Sequence, residues 1–217
     1  MPRLLSLFDG TGSICKPFRE AGWEIQSVDC DGRFGATIVQ DILQWDYSKE
    51  PTPDVIFSGV PCTEYSQAKT RGIRNYALAD SLVKNMWEII KYYLNKNPLL
   101  LYFIENPAFS QLWKRQCASE FADPSIILDY CCYGSEGYRK RTRFATNSNY
   151  IPRPLCNPKI CVSCPDGKTH SKSAQKGPCR GKDFTVDRFS TDALHAYPDP
   201  LCQEIFDHIQ WSRWEVI

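Results

Sequence analysis

No apolar run in this chain is long enough to cross a bilayer: the longest, residues 98–104, falls far short of the roughly 20 residues that a membrane helix needs. A spanning segment is therefore not expected. Nor does the chain open on a basic stretch followed by an apolar core and a small-residue cleavage site. It starts directly on a strand-like segment, as expected of a protein that works inside a cell. No internal repeat is visible, which argues against a solenoid or propeller. Net charge is nearly lacking as well, +1 overall, but the balance is uneven: residues 139–188 hold twelve Lys or Arg against three Asp. That surplus could meet a phosphate backbone, or it could form a solvated basic loop.

What is present is cysteine, eleven in all. Without a secretory leader these read as reduced thiols, metal ligands or a catalytic group rather than a disulfide scaffold. The 42% hydrophobic and 13% aromatic content is that of a globular protein, and 217 residues suit one domain with at most a small appendage. Strand-like segments are expected at residues 3–8, 23–29, 37–39, 55–58, 99–104 and 125–130, with a further aromatic strand near 130–133. Helices are expected at 14–21, at 200–211 and, most clearly, at 78–94, where Leu82, Val83, Met86, Ile89, Ile90 and Tyr93 recur at helical spacing. Such alternation predicts an α/β sheet covered by helices on both faces.

A few stretches at the ends of strands are expected to carry the chemistry. The turn Phe8-Asp9-Gly10-Thr11-Gly12-Ser13 follows the first strand, where glycines allow close approach and a helix N-terminus offers free amides. A nucleotide-like cofactor fits there, although the third glycine of a dinucleotide site is missing. Asp29 ends the second strand candidate, the position from which a carboxylate accepts ribose hydroxyls, with Cys30 beside it. Gly59-Val60-Pro61-Cys62-Thr63-Glu64-Tyr65-Ser66 begins just past the strand 55–58, at the edge where α/β sheets bind ligands, so Cys62 stands where a nucleophile would. Glu105-Asn106-Pro107 brings a carboxyl group to the same edge, with burial expected to raise its pKa into the range of a proton donor. In an extended chain Arg139, Arg141 and Arg143 share one face and could hold an anion.

In this order, the Phe-x-Gly-x-Gly turn, the Pro-Cys loop, the Glu-Asn dipeptide and the paired arginines resemble the cytosine-5 DNA methyltransferase family. The likeness is to the short enzymes of phages and large DNA viruses, over about residues 3–150 and a helix after Pro198. The resemblance implies a Rossmann-like α/β fold dependent on S-adenosylmethionine, with a mixed, mainly parallel sheet, helices on both faces and a small Cys-rich irregular insert. It implies that Cys62 attacks carbon 6 of cytosine, that Glu105 holds or protonates ring nitrogen 3, and that Arg141 and Arg143 orient the base. Phe8, Gly10, Gly12, Asp29, Asp41 and Ile42 would line the cofactor site, joined by Gly59 and Pro61. Ser66, Asn106 and Arg139 would meet the substrate.

The chain departs from the family pattern at three points. Arg139 stands where glutamine is usual, Pro107 where valine is, and there is no room for a large target-recognition domain. DNA is the expected partner, with RNA or a free nucleotide permitted by the same chemistry and a protein partner for target recognition held open. A viral origin would place the protein in the host cytoplasm or nucleus.

The expected division is a catalytic unit of residues 1–151 and 190–217 around a basic Cys-rich insert, 152–189. In that insert Cys156, Cys161, Cys164 and Cys179 give C-x4-C-x2-C-x14-C, with His170 as a spare nitrogen ligand. A structural zinc and unpaired loop thiols are the two readings of this spacing.

Overall fold

The computed structural model describes residues 1–67, 69–134, 137–174 and 189–214. Its centre is a seven-stranded sheet of order β3-β2-β1-β4-β5-β7-β6. The strands are β1 (Arg3–Leu7), β2 (Glu24–Asp29), β3 (Ile38–Val39), β4 (Val55–Gly59), β5 (Leu101–Pro107), β6 (Ser125–Asp129) and β7 (Arg141–Thr146). The first five run parallel, while β7 lies antiparallel between β5 and β6. This is the Rossmann-like α/β arrangement expected from the sequence, mixed and mainly parallel. Strand order reverses between β1 and β4, so the crevice beyond their C-terminal ends is the switch point at which such sheets bind ligands.

Side chains alternate across the pleat and build two apolar layers. One joins Leu5, Leu7, Ile56 and Ile104 to helix α2 (Tyr76–Lys96) through Val83, Met86, Ile90 and Tyr93. The other joins Leu4, Val55, Phe57, Phe103 and Phe144 to α1 (Cys15–Glu20) and α4 (Asp199–Trp214). Phe57 and Phe103, register partners on β4 and β5, stack at 4.7 Å, and Phe206 of α4 meets Phe18 of α1 edge-on at 5.0 Å. Each such fully buried side chain contributes about 1.5–3 kcal/mol. Asn75 caps α2 by accepting a hydrogen bond from Leu78 N, which starts the helix earlier than residue 78.

Two local expectations change. Residues 130–133 are not a strand: β6 stops at Asp129 because β7 begins only at Arg141, and Tyr130–Cys132 forms a 3-10 turn closed by Tyr133 N on Tyr130 O. A short helix, α3 (Thr191–His195), capped by Ser190, was not foreseen. Among the described residues no helix is long and apolar enough to cross a membrane.

Candidate active site

The turn after β1 is fastened to the neighbouring strand by Phe8 N and Asp9 N, both donating to Val28 O. Phe8 has φ +54°, a conformation strained for a residue with a Cβ, and Gly10 and Gly12 continue at +54° and +66°. Gly10 N donates to Asp29 Oδ2 at 2.9 Å, so the carboxylate ending β2 holds the turn open. Asp9 is held beneath it by Ser6 Oγ at 2.5 Å and Cys15 Sγ at 3.3 Å; burial pushes its pKa up against both hydrogen bonds. A cavity of about 210 Å³ opens over this turn. Phe8, Asp9, Gly10, Thr11, Asp29 and Cys30 line one side, and Gly59, Pro61, Cys62 and Glu105 the other.

Gly59 is where β4 passes closest to that turn. A Cβ there would lie 3.2 Å from Phe8 O, so the turn would have to give by a few tenths of an ångström, and would touch the Tyr197 hydroxyl at 3.4 Å. Beyond it the chain is tied down residue by residue. Val60 O accepts from buried Asn106 Nδ2 at 2.8 Å, and Cys62 O accepts from Tyr65 N at 3.0 Å. Tyr65, fully buried, donates its hydroxyl to Asp80. The Arg74 guanidinium gathers the carbonyls of Glu64, Ser66 and Lys69, and Lys69 pairs with Glu64. Cys62 is thus presented half-buried from a braced loop, while Ser66 serves as one of the points of bracing and lies outside the cavity lining.

The register of β4 with β5 sets Gly59 beside Glu105. Glu105 is 8% exposed, its Oε1 accepts no hydrogen bond, and Lys140 Nζ stands 3.8 Å away. Burial raises the Glu105 pKa and Lys140 opposes the rise. The Cys62 thiol is likewise pushed up by burial and then by Glu105, with Lys140 pulling it down. Lys140 is held in place by Leu194 O at 3.1 Å and by the face of Tyr130 at 4.8 Å.

Several residues expected at the site sit elsewhere. Antiparallel pairing puts Phe144 opposite Glu105, so Arg141 and Arg143, one residue out of phase with Phe144, emerge on the other face of β7. Arg141 makes a bidentate pair with Asp129 at 2.9 and 2.7 Å; Arg143 lies over Trp113 and binds Ala122 O and Asp123. Neither arginine lines the cavity, whose cation is Lys140, and Arg139 is exposed. Ile42 belongs to the core under α2, and Asp41 caps a turn through Leu43 N; the Cys30 thiol pKa is raised by burial and then by Asp29, with Asp41 adding the least. Gly12 accepts Cys15 N, and Ser13 Oγ accepts Tyr197 N at 2.9 Å, which fastens the C-terminal segment to the turn.

That segment supplies lining residues the sequence had not suggested, His195 and Tyr197. Burial, then Lys140, lowers the His195 pKa. A polar residue at the end of a five-residue helix carries no periodic signal; only its packing against a loop far away in the chain reveals it.

The Cys-rich segment also differs from expectation. Cys156, Cys161 and His170 come together with Cys131, all four ligating atoms within 4.8 Å of one another. Cys164 is buried beside this group but outside it, and Cys179 lies outside the described residues.

No family model matches the chain. It is 29% identical over 177 residues, 73% of its own length and 77% of the other, to a probable DNA (cytosine-5)-methyltransferase of Frog virus 3 (isolate Goorha). Among solved structures, a mutant of Spodoptera frugiperda DNMT2 aligns at 14% identity with a TM-score of 0.43, covering 86% of this chain. The chain spans 57% of that protein's length. By its motifs, and by sequence similarity along nearly three quarters of its length, the chain resembles the cytosine-5 DNA methyltransferase family in its short, large-DNA-virus form.

Proposed function

We propose that this protein transfers a methyl group from S-adenosylmethionine to carbon 5 of cytosine in DNA, through a covalent adduct on Cys62. The observation that carries the reading is the convergence of a thiol, a buried carboxyl group and an ammonium, Cys62, Glu105 and Lys140, on one cavity at the switch point of the sheet. The opposite wall suits the cofactor. Phe8 offers an apolar face, the turn through Gly10 leaves room for close approach, and each Asp29 oxygen, already accepting one amide, keeps a lone pair for a ribose hydroxyl. The cofactor, when bound, supplies an electrophilic methyl group.

The chain's own groups do the rest. As its thiolate, the S–H proton having passed to solvent, the Cys62 sulfur bonds to carbon 6 while the ring's electrons move toward carbon 5, and Glu105, its pKa raised by burial, gives its proton to nitrogen 3. Carbon 5, now nucleophilic, takes the methyl group. Its own proton is lost to solvent, the carbon–sulfur bond breaks to restore the double bond, and the proton on nitrogen 3 returns to Glu105. Lys140 favours the thiolate and limits how far the Glu105 pKa rises. A cytosine within a duplex cannot reach a half-buried thiol, so a duplex substrate has to extrude the base. The positive surplus in residues 139–188 supports a polymer over a free nucleotide.

The test is transfer of labelled methyl to duplex DNA, single-stranded DNA, RNA and free cytidine nucleotides in parallel, with nucleoside analysis of the product. Five-methylcytosine in DNA is expected. Product in RNA or nucleotide alone would overturn the substrate, and no product despite cofactor binding would overturn the activity.

Lys140 has a separate signature. Because its charge lowers the Cys62 pKa, Lys140→Met should slow alkylation of Cys62 by iodoacetamide at pH 8 and move the midpoint of the pH profile upward. Peptide-resolved mass spectrometry measures this among the other cysteines; an unchanged rate would remove Lys140 from the site's electrostatics.

A further inference from the structure

The geometry points to a zinc ion held by Cys131, Cys156, Cys161 and His170, a site that fastens the Cys-rich segment to the catalytic sheet. In the tetrahedral coordination of zinc, with sulfur at about 2.3 Å and nitrogen at about 2.0–2.1 Å, a sulfur and a nitrogen ligand lie about 3.6 Å apart. His170 Nε2 stands 3.5 Å from Cys156 Sγ and 3.6 Å from Cys161 Sγ, with Cys131 Sγ in the same group. Three sulfurs and one imidazole, with no carboxylate, form a soft, four-membered set of the kind that selects zinc over hard cations.

The origin of the ligands gives the site its role. Cys131 belongs to the 3-10 turn that follows β6, whereas the other three lie in the segment beyond Tyr150. An ion here therefore joins two parts of the chain, unlike a knuckle closed on local cysteines. The surroundings already brace such a join. Asp129 Oδ2, besides pairing with Arg141, accepts Cys156 N at 3.1 Å, and Arg153 N donates to Tyr133 Oη at 2.8 Å. Backbone bonds from Cys164 N to Cys161 O and from Gly167 N to Cys164 O fold the chain that carries Cys161.

The segment has little else to hold it. Leu155, Ile160 and Val162, the aliphatic side chains next to the ligands, are 46%, 81% and 93% exposed, so burial contributes little folding energy there. Metal binding supplies folding energy in such core-poor segments. This reading does not depend on the methyl-transfer reaction.

The test uses the purified 217-residue chain and zinc itself. Elemental analysis should find about one zinc per chain, and X-ray absorption at the zinc edge should resolve three sulfur ligands and one nitrogen. Cys131→Ser and His170→Ala should lose the metal, while Cys164→Ser and Cys132→Ser keep it. Zinc below about one-tenth of an equivalent in folded protein overturns the site. So does a four-sulfur shell, which would exclude His170, or retention in Cys131→Ser with loss in Cys164→Ser, which would restore the set read from sequence spacing. Should Cys131→Ser fail to fold, the ligand count of the wild-type protein still decides.

Discussion

Replacing Cys62 by serine is expected to lower methyl transfer by at least about a thousandfold while leaving S-adenosylmethionine affinity close to that of the wild type. A serine hydroxyl is far less acidic than a thiol and a poorer nucleophile toward an aromatic ring, and removing the nucleophile of a covalent mechanism costs several orders of magnitude. The fold has little reason to respond. Cys62 is half-buried, and its loop is braced by Tyr65, Arg74 and the Glu64–Lys69 pair, none of which uses the sulfur. Labelled-methyl assays give the first quantity and titration calorimetry the second. Retention of more than about one-hundredth of wild-type transfer would show that the reaction does not pass through this thiol.

Truncating Asp129 to alanine is expected to destabilise the protein by about 3 kcal/mol. Its side chain has no exposure, both its oxygens engage Arg141, and Oδ2 also receives Cys156 N. Removing one partner of a buried pair leaves the other charge uncompensated, which typically costs about 3–5 kcal/mol; Arg141 is a quarter exposed, so the lower end applies. For a domain of this size each kcal/mol moves the melting temperature about 2–4 °C, so calorimetry should show a fall of roughly 6–12 °C. The double replacement Asp129→Leu with Arg141→Met should recover part of that loss, because apolar side chains of similar volume substitute well for buried ion pairs while the Cys156 amide still lacks its acceptor. The same double variant separates two roles for Arg141. Retained methyl transfer would mark the arginine as structural; loss of transfer in a stably folded protein would return it to the substrate.

What could be read from sequence was what local pattern carries. Strands β1, β2, β4 and β5 announce themselves as short apolar runs, and α2 by its helical repeat. The turn at Phe8, the Cys62 loop and Glu105 could be placed together because parallel strands bring their C-terminal ends to one edge. The remainder depended on contacts between distant residues. Register decides which side of β7 faces Glu105, and a shift of one residue exchanges Arg141 and Arg143 for Lys140. Cys131 joins the thiol cluster only because the chain turns at Tyr130–Cys132, where the expected strand would have carried it past. Ile42 follows Asp41 in the chain, but the core claimed it.

The bond from Tyr197 N to Ser13 Oγ spans 184 positions, and the Tyr197 hydroxyl rests near Gly59. One wall of the cavity is therefore translated well before the residues that cover it. A chain grown past β7 holds Cys62, Glu105 and the apolar layer of Phe57, Phe103 and Phe144, but that layer lacks the cover of α4 until residues 199–214 follow. Closure over so long a separation is slow relative to local folding. That order leaves Cys62 in an unfinished pocket until His195 and Tyr197 are in place, and transient release of the Tyr197 segment from Ser13 would reopen it.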